Sequence, residues 1–223
     1  MRYVVTPFVD ELYPDNVAFL AIHLSDGYQT GFGQVRRSGY YPGTMTIPDT
    51  LVDAGMFHFI GTPGVPPMYD PPTQWISMVD ARLAVPTDVT IEILPQRLNE
   101  TQWTFTADVC MEPTGAARSM GINLAWTVDD YPTGYPYVYR ETLRGGYGPE
   151  VVDLNPSECV QVDATFTFSA VELDRWPSVE IVAWAQTPAS GWGEAYQAAT
   201  MTMGLFDDGF ESGDLSGWSV TVP

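Results

Sequence analysis

The residues best suited to chemistry are few: two cysteines, Cys110 and Cys159, and two histidines, His23 and His58, in a chain of 223 residues. The cysteines are far apart in sequence, whereas thiol-exchange enzymes and zinc sites use closely spaced ligands such as Cys-x-x-Cys. The sequence also has no His-Glu-x-x-His motif, no Gly-x-Ser-x-Gly elbow and no glycine-rich phosphate loop. We therefore expect no catalytic residues and a non-enzymatic protein, with both histidines in hydrogen-bonded structural positions.

One group of carboxylates is a candidate cation site. Asp207, Asp208, Glu211 and Asp214 lie close together near the end of the chain, and calcium prefers carboxylate and carbonyl oxygens. Their spacing is not that of an EF-hand loop, so a solvated acidic turn is the alternative. Calcium is the one cofactor that the sequence suggests, and otherwise none is expected.

A tyrosine-rich segment, YPTGYPYVYR, is the candidate binding loop. Its proline and glycine residues predict a loop between strands, and tyrosine side chains offer a large contact area at low entropic cost. The alternative is that these rings pack onto a neighbouring domain or a sheet edge. The candidate residues are Tyr131, Tyr135, Tyr137 and Tyr139.

The charge balance limits the partners. The chain carries 28 acidic residues against nine arginines and no lysine, which gives a formal net charge of −19. Phosphate backbones and anionic lipids repel such a surface, so nucleic acid is not expected as a partner. No apolar run approaches the roughly 20 residues that a membrane-spanning helix needs. The expected partner is a protein or a glycan.

Residues 1–86 alternate helix and strand signals. Residues 2–13 have helical spacing of apolar residues, and the continuous apolar run at residues 16–24 predicts a strand buried on both faces. Residues 30–41 are polar and predict either a short helix or a loop. Residues 46–54 and 55–62 then predict a hairpin that turns at Ala54-Gly55.

A further helix is expected at residues 70–85. Prolines occupy its first turn, where a missing N–H is tolerated, and an apolar stripe follows. The stripe consists of Trp75, Ile76, Val79 and Leu83.

From residue 87 onwards the apolar period becomes two, which is typical of strands in a β-sandwich. The clearest case places Trp103, Phe105 and Val109 on one face and Thr104 and Thr106 on the other. Seven strands are predicted, at residues 89–94, 101–111, 121–128, 137–145, 159–168, 179–187 and 195–203. The expected domains are 1–86, 87–205 and a C-terminal tail, 206–223.

The order of elements in residues 1–86 resembles a thioredoxin fold. Ile47-Pro48, followed by Thr50, is similar to the cis-proline that opens a strand beside the active site of that fold. Thioredoxin-like enzymes carry Cys-x-x-Cys at the start of the first helix, and this half of the chain has no cysteine. The resemblance implies a truncated thioredoxin-like domain that begins inside that helix.

With a seven-stranded sandwich behind it, the chain resembles the bacterial twenty-eight-kilodalton outer-membrane lipoprotein family, in which a thioredoxin-like domain precedes an immunoglobulin-like one. The likeness covers most of residues 1–205, and it implies a fold without supplying an active site. The segments that carry it are RSGYYPGTMTIPDTLVDAG, YVYRETLRGGYGPEV, VEIVAWAQT and EAYQAA.

The strand pattern predicts a disulfide between Cys110 and Cys159. Each cysteine falls on the polar face of its strand, unlike an ordinary core cysteine. Cys110 ends the second sandwich strand and Cys159 begins the fifth, and these strands are antiparallel neighbours in an immunoglobulin-like sandwich. The alternative is two free surface thiols in a cytoplasmic protein.

These observations lead us to expect a protein that is secreted or lies on the outer surface of a bacterium and acts in adhesion, binding or extracellular assembly. The tail LFDDGFESGDLSGWSVTVP resembles sorting tails of secreted bacterial proteins, although an extra strand or the start of a further domain are alternatives. Two other functions stay open. One is a fragment of a thiol-disulfide oxidoreductase whose Cys-x-x-Cys lies before Met1, and the other is a calcium-dependent carbohydrate-binding module. A sheet edge left open by the truncation also predicts self-association.

Overall fold

The computed structural model describes most of the second half of the chain and several parts of the first. The described residues are 13, 17–18, 20–23, 27–40, 49–52, 57–60, 72–129, 131–132, 138–139, 141–188 and 193–203. Residues 2–12 of the predicted helix, the cis-proline Pro48 and the acidic group at residues 207–214 lie outside these ranges.

Residues 31–40 are helical. Helix α1 spans Gly31–Val35, and Thr30 caps it because the Thr30 Oγ1 accepts a hydrogen bond from the Gly33 amide at 3.0 Å. A π-helical segment, Arg36–Tyr40, follows directly. Of the two interpretations of residues 30–41, the helix is the one found.

The apolar run at residues 16–24 does not form a regular strand in its described part. Ala21 makes a single parallel bridge to Thr142, in which its amide donates to the Glu141 carbonyl and its carbonyl accepts from the Leu143 amide. The side chains of the run are apolar because they pack against the outer face of a sheet. These side chains are Ala18, Leu20 and Ile22.

The hairpin that follows is confirmed. Strand β1, Asp49–Val52, pairs antiparallel with strand β2, Phe57–Ile60, so that the predicted turn at Ala54-Gly55 lies between them, outside the described residues. A thioredoxin-like arrangement of these elements stays a prediction.

The helix predicted at residues 70–85 is also confirmed, as α2, Pro72–Leu83. Val79 is buried and Ile76 half-buried, as the stripe predicts. Leu83 is wrong as a stripe residue, because its side chain is 46% exposed. It ends the helix, and residues 84–87, which follow it, are exposed as well, so nothing there covers it.

The rest of the described chain is dominated by strands in two antiparallel sheets, compatible with a β-sandwich. The bounds are β3 Val89–Arg97, β4 Gln102–Met111, β5 Arg118–Val128, β6 Tyr131–Pro132, β7 Val138–Tyr139, β8 Thr142–Leu154, β9 Cys159–Thr167, α3 Ala170–Leu173, a 3-10 turn Trp176–Ser178, β10 Val179–Gln186 and β11 Ala195–Thr202.

These strands form a four-stranded sheet with the order β11-β10-β5-β8 and a three-stranded sheet with the order β3-β4-β9. A short hairpin, β6 with β7, lies between β5 and β8 in the sequence.

The fourth long strand differs from its prediction. The expected strand at residues 137–145 is divided, since Glu141 adopts a left-handed backbone with φ of 45° between β7 and β8. Strand β8 then runs on to Leu154 and pairs with β5. A constant-type immunoglobulin sandwich would instead place the fourth strand beside the fifth, in the other sheet.

Strand β8 carries two irregularities in its pairing with β5. One leaves Arg144 without an opposing residue, because Trp126 pairs with Gly145 while Thr127 pairs with Leu143. The other surrounds Gly148, whose backbone has a φ of +104°. A Cβ atom at this position would lie 2.5 Å from the Ile122 carbonyl oxygen, so there is no room for a side chain.

The core lies between the two sheets. Strand β4 alternates without interruption, with the buried side starting at Trp103 and ending at Met111, as the sequence predicts. Aromatic rings fill one end of this core, where Phe168 contacts Phe105, Trp126 and Trp176 with ring centroids 5.0 to 6.2 Å apart.

The outer face of the four-stranded sheet is covered by residues from the first half of the chain. Phe32 packs edge-on to Trp184, with ring centroids 6.2 Å apart, and lies against Gly146. Strand β5 is therefore buried on both faces, which explains why its central residues are apolar without alternation. The other apolar residues of this second cluster on the sheet are Ala125, Leu143 and Val182.

Candidate functional site

The described ends of the candidate tyrosine loop, Tyr131–Pro132 and Val138–Tyr139, form the β6–β7 hairpin, and Tyr131 packs inward. Tyr131 is only 9% exposed and pairs with Tyr139 through the β6–β7 hairpin. Its ring lies edge-on to that of Tyr28 at 5.6 Å. Tyr131 therefore belongs to the buried core, and a binding role for the rest of the loop stays a prediction. Tyr135 and Tyr137 lie outside the described residues.

Arg144 lies on the other side of the Tyr131 ring, with its guanidinium carbon 4.4 Å from the ring centroid. Such a contact is a cation–π interaction. Arg144 is the unopposed residue of the first β8 irregularity, and bulges of this kind redirect a side chain. The bulge therefore directs this arginine towards Tyr131 at the end of the sheet.

Glu172 fixes the same arginine from α3. Its carboxylate is 4% exposed, and its Oε1 accepts a hydrogen bond from Arg144 Nε at 3.2 Å. The same oxygen accepts from Trp126 Nε1 at 3.4 Å, and Oε2 accepts from the Ser169 amide at 2.6 Å. A buried carboxylate with three donors is satisfied, so it acts as an anchor for the groups that donate to it.

Arg144 uses only part of its hydrogen-bonding capacity. A guanidinium has five N–H donors, and in the described part of the chain only Arg144 Nε has a hydrogen-bond partner. The side chain is 20% exposed, so solvent reaches it. The two Nη atoms are the donors of this cluster that remain for a ligand.

A second buried arginine joins the first half of the chain to the four-stranded sheet. Arg36 is 3% exposed, donates to Asn123 Oδ1 at 3.3 Å and to Gln186 Oε1 at 2.6 Å, and lies over the Trp184 ring at 5.1 Å. Trp184 Nε1 donates to the same Gln186 oxygen at 2.8 Å. This cluster holds the α1 region on the sheet and is structural.

Sequence reasoning missed Arg144, Glu172 and Arg36. A usable signal existed for one of the three, Arg36, because Asn123 and Gln186 are polar residues inside otherwise apolar runs, and such residues need buried partners. Nothing in the local sequence identifies Arg36 as their partner.

The predicted disulfide is confirmed. Cys110 and Cys159 are bonded and lie on the outward face of the three-stranded sheet, where Cys159 is exposed. Glu92 and Asp108 occupy opposed positions on the same face. The described residues contain no group of three or more His, Cys, Asp or Glu side chains that could hold a metal ion. The calcium candidate is not among the described residues and stays a prediction.

None of the helices that the structure describes has the length and apolar character needed to cross a membrane.

Comparisons with known proteins bear on the fold alone. No protein-family model matches the sequence, and no curated protein matches it. Among solved structures the chain is similar to HBP35 of Porphyromonas gingivalis, with a TM-score of 0.57 and 11% identity over 82% of this chain and 62% of that one.

Two other structures are far less similar. Spo0M, a sporulation control protein from Bacillus subtilis, has a TM-score of 0.35 and 14% identity over 53% of this chain and 49% of that one. The β-glucosidase from Kluyveromyces marxianus has a TM-score of 0.31 and 15% identity over 52% of this chain and 14% of that one. The chain therefore shares a fold with HBP35 and spans less than two thirds of its length.

Proposed function

We propose that the protein is a non-enzymatic binding module that acts in adhesion or assembly outside the cytoplasm, at the surface of a bacterial cell. The observation that carries this proposal is the Cys110–Cys159 disulfide. Disulfides persist in secreted and surface proteins and are rare in the reducing cytosol. The fold shared with HBP35 of Porphyromonas gingivalis agrees with a bacterial protein of this kind.

The chemistry of the Tyr131 cluster favours binding over catalysis. Glu172 is satisfied by three donors, and the groups left available are aromatic rings and the Nη atoms of Arg144. Guanidinium and aromatic groups recognise ligands by hydrogen bonding and stacking and perform no bond-breaking step themselves.

The experiment is to trap the thiols of intact cells of the source bacterium with a maleimide and then to treat the cells with protease. We expect both cysteines to be protected from the maleimide until a reductant is added, and we expect the protein to be digested without cell lysis. Amine-reactive surface labels are unsuitable because the chain has no lysine. Two reactive thiols, or protection from protease until lysis, would contradict the proposal.

Self-association, the oxidoreductase alternative and the calcium-dependent module are three further expectations from the sequence. Self-association stays a prediction, and sedimentation velocity at high micromolar concentration tests it, with a single monomeric species as the contrary result. The oxidoreductase alternative requires residues before Met1, and the calcium-dependent module requires residues 207–214.

A further inference from the structure

We propose that Arg144 is the anchor of a binding site for a carboxylate-bearing ligand. This inference rests on the proposed binding function and names the chemistry that the binding site recognises. It is carried by the combination of a fixed guanidinium, a satisfied counter-ion and unused donors on one side chain.

The guanidinium is held from two directions before any ligand arrives. Glu172 accepts the Nε hydrogen bond at 3.2 Å, and the Tyr131 ring supports the guanidinium plane at 4.4 Å. The β8 bulge fixes the backbone from which the side chain extends. A side chain that is already ordered loses little conformational entropy on binding, so its hydrogen bonds contribute more fully to affinity.

The unused donors have the geometry of a fork. With Nε engaged, the two Nη atoms keep four N–H groups, and in the described part of the chain none of these has a protein acceptor. A planar guanidinium edge matches the two oxygens of a carboxylate in a bidentate pair. The 20% exposure of the Arg144 side chain gives such a ligand access.

Charge selects the carboxylate among anions. Glu172 already offsets the single positive charge of Arg144, and the whole chain carries −19. A dianionic phosphate would meet greater repulsion here than a singly charged carboxylate, whose gain comes from directional hydrogen bonds. The Tyr28 ring, half-buried and edge-on to Tyr131, forms an aromatic flank to the cluster.

The test is a ligand titration of the full chain, monitored by nitrogen-15 NMR of the arginine Nε–H signals. The chain has nine arginines, so the spectrum contains few such signals. The probes are propionate, methyl phosphate and propanol at constant ionic strength and pH 7. We expect a saturable shift of the Arg144 signal at millimolar propionate, a weaker response to methyl phosphate and none to propanol.

Two variants separate this site from general charge effects. Arg144→Lys keeps the charge and loses the fork, so propionate should bind at least about tenfold more weakly. Because this variant has no Arg144 signal, binding to both proteins is compared at the Trp126 Nε1–H signal, whose donor bonds to the same Glu172 oxygen. Arg97→Gln is the matched control, because Arg97 also lies over an aromatic ring, that of Trp103 at 5.7 Å, and its loss should leave the propionate titration unchanged.

The wild-type titration decides the proposal even if Arg144→Lys fails to fold. A shift that stays linear without saturating up to about 0.5 M propionate would overturn it. Methyl phosphate binding as tightly as propionate would overturn the assignment to a carboxylate. Neither result would change the outcome of the thiol-trapping and protease experiment, so the two proposals fail independently.

Discussion

Cys110 and Cys159 lie directly opposite each other on neighbouring antiparallel strands, with Cα atoms 4.0 Å apart and a disulfide between them. Two backbone hydrogen bonds join the same strand ends independently of the disulfide. The Met111 amide donates to the Glu158 carbonyl, and the Met111 carbonyl accepts from the Ser157 amide. The disulfide is thus a covalent addition to a ladder that is already formed.

Replacing both cysteines by alanine should lower stability without changing the fold. The bond closes a sequence separation of 49 residues, for which the chain-entropy model gives about 4 kcal/mol, with measured losses often smaller. Urea unfolding of the double variant and of the oxidised and reduced wild type measures the effect. Reduced wild type and double variant should coincide, and a variant as stable as the oxidised protein would refute the prediction.

The open face of the three-stranded sheet should make stability depend on salt. Glu92 lies opposite Asp108, and like charges in opposed positions destabilise a sheet. In a chain of net charge −19, added salt screens this repulsion. The urea midpoint should therefore rise with sodium chloride.

Glu92→Gln should raise stability at low salt by up to about 0.5 kcal/mol and reduce the salt dependence. Glu100→Gln, in the exposed turn between β3 and β4, removes the same charge without an opposed carboxylate and is the control. Equal effects of the two substitutions would show that net charge alone is responsible.

Tyr13 should titrate late and weaken the fold at high pH. Burial, followed by the hydrogen bond from its hydroxyl to Asp80 Oδ1 at 2.7 Å and the charge of that carboxylate, raises its pKa to about 12. The folded-state pKa is above that of the unfolded chain, so the contribution to stability is complete below pH about 10 and is lost as the pH rises through about 12.

Absorbance at the phenolate band, with Tyr13→Phe as the control, resolves this titration among the twelve tyrosines. Tyr13→Phe should lack the phenolate titration with the pKa of about 12, and it should lose less stability than wild type between pH about 10 and about 12. Identical alkaline profiles would contradict the assignment.

Thr142→Val should stabilise the protein by about 1 kcal/mol. Thr142 is fully buried, and among the described residues its Oγ1 has no hydrogen-bond partner. Valine keeps the shape of the side chain and removes an unsatisfied buried hydroxyl. Thr142→Ser, which keeps the hydroxyl and removes the methyl group, should destabilise. Thermal unfolding of the two variants measures both changes, and a less stable valine variant would mean that the hydroxyl is satisfied.

Gly146→Ala should weaken the contact between α1 and the four-stranded sheet. A Cβ at this position would lie 2.6 Å from the Phe32 ring, which must then move from its place beside Trp184. We expect a loss of about 1 to 3 kcal/mol and a change in tryptophan fluorescence. Gly27→Ala is the matched control because a Cβ there meets nothing within 4 Å. An unchanged fluorescence spectrum for Gly146→Ala would contradict this packing.

The elements that sequence predicted well are those with a local cause. Period-two alternation placed β4 correctly from Trp103 to Met111, because an outward Thr, Asp or Cys separates each pair of buried residues. The same alternation put Cys110 on the outward face and so led to the disulfide. Prolines in the first turn and apolar spacing predicted α2 for the same reason.

The elements that sequence did not predict depend on distant residues. The apolar run around Ala21 has the composition of a buried strand, yet its burial comes from packing against a sheet more than a hundred residues later. The start of β8 was misplaced because the left-handed backbone at Glu141 has no glycine to mark it. Arg144 and Glu172 meet only once the bulge has formed, and a bulge has no reliable local signature here.

The contact between Arg36 and Gln186 also constrains the order of events during protein synthesis. These residues are 150 positions apart, and at roughly 5 to 20 residues per second the ribosome needs about 8 to 30 s to deliver the second after the first. Until β10 emerges, Phe32 and Leu20 lack Val182 and Trp184 of the cluster that buries them, so both remain more available to chaperones and to proteases. Residues 20–36 thus reach their final place only after most of the four-stranded sheet has been synthesised.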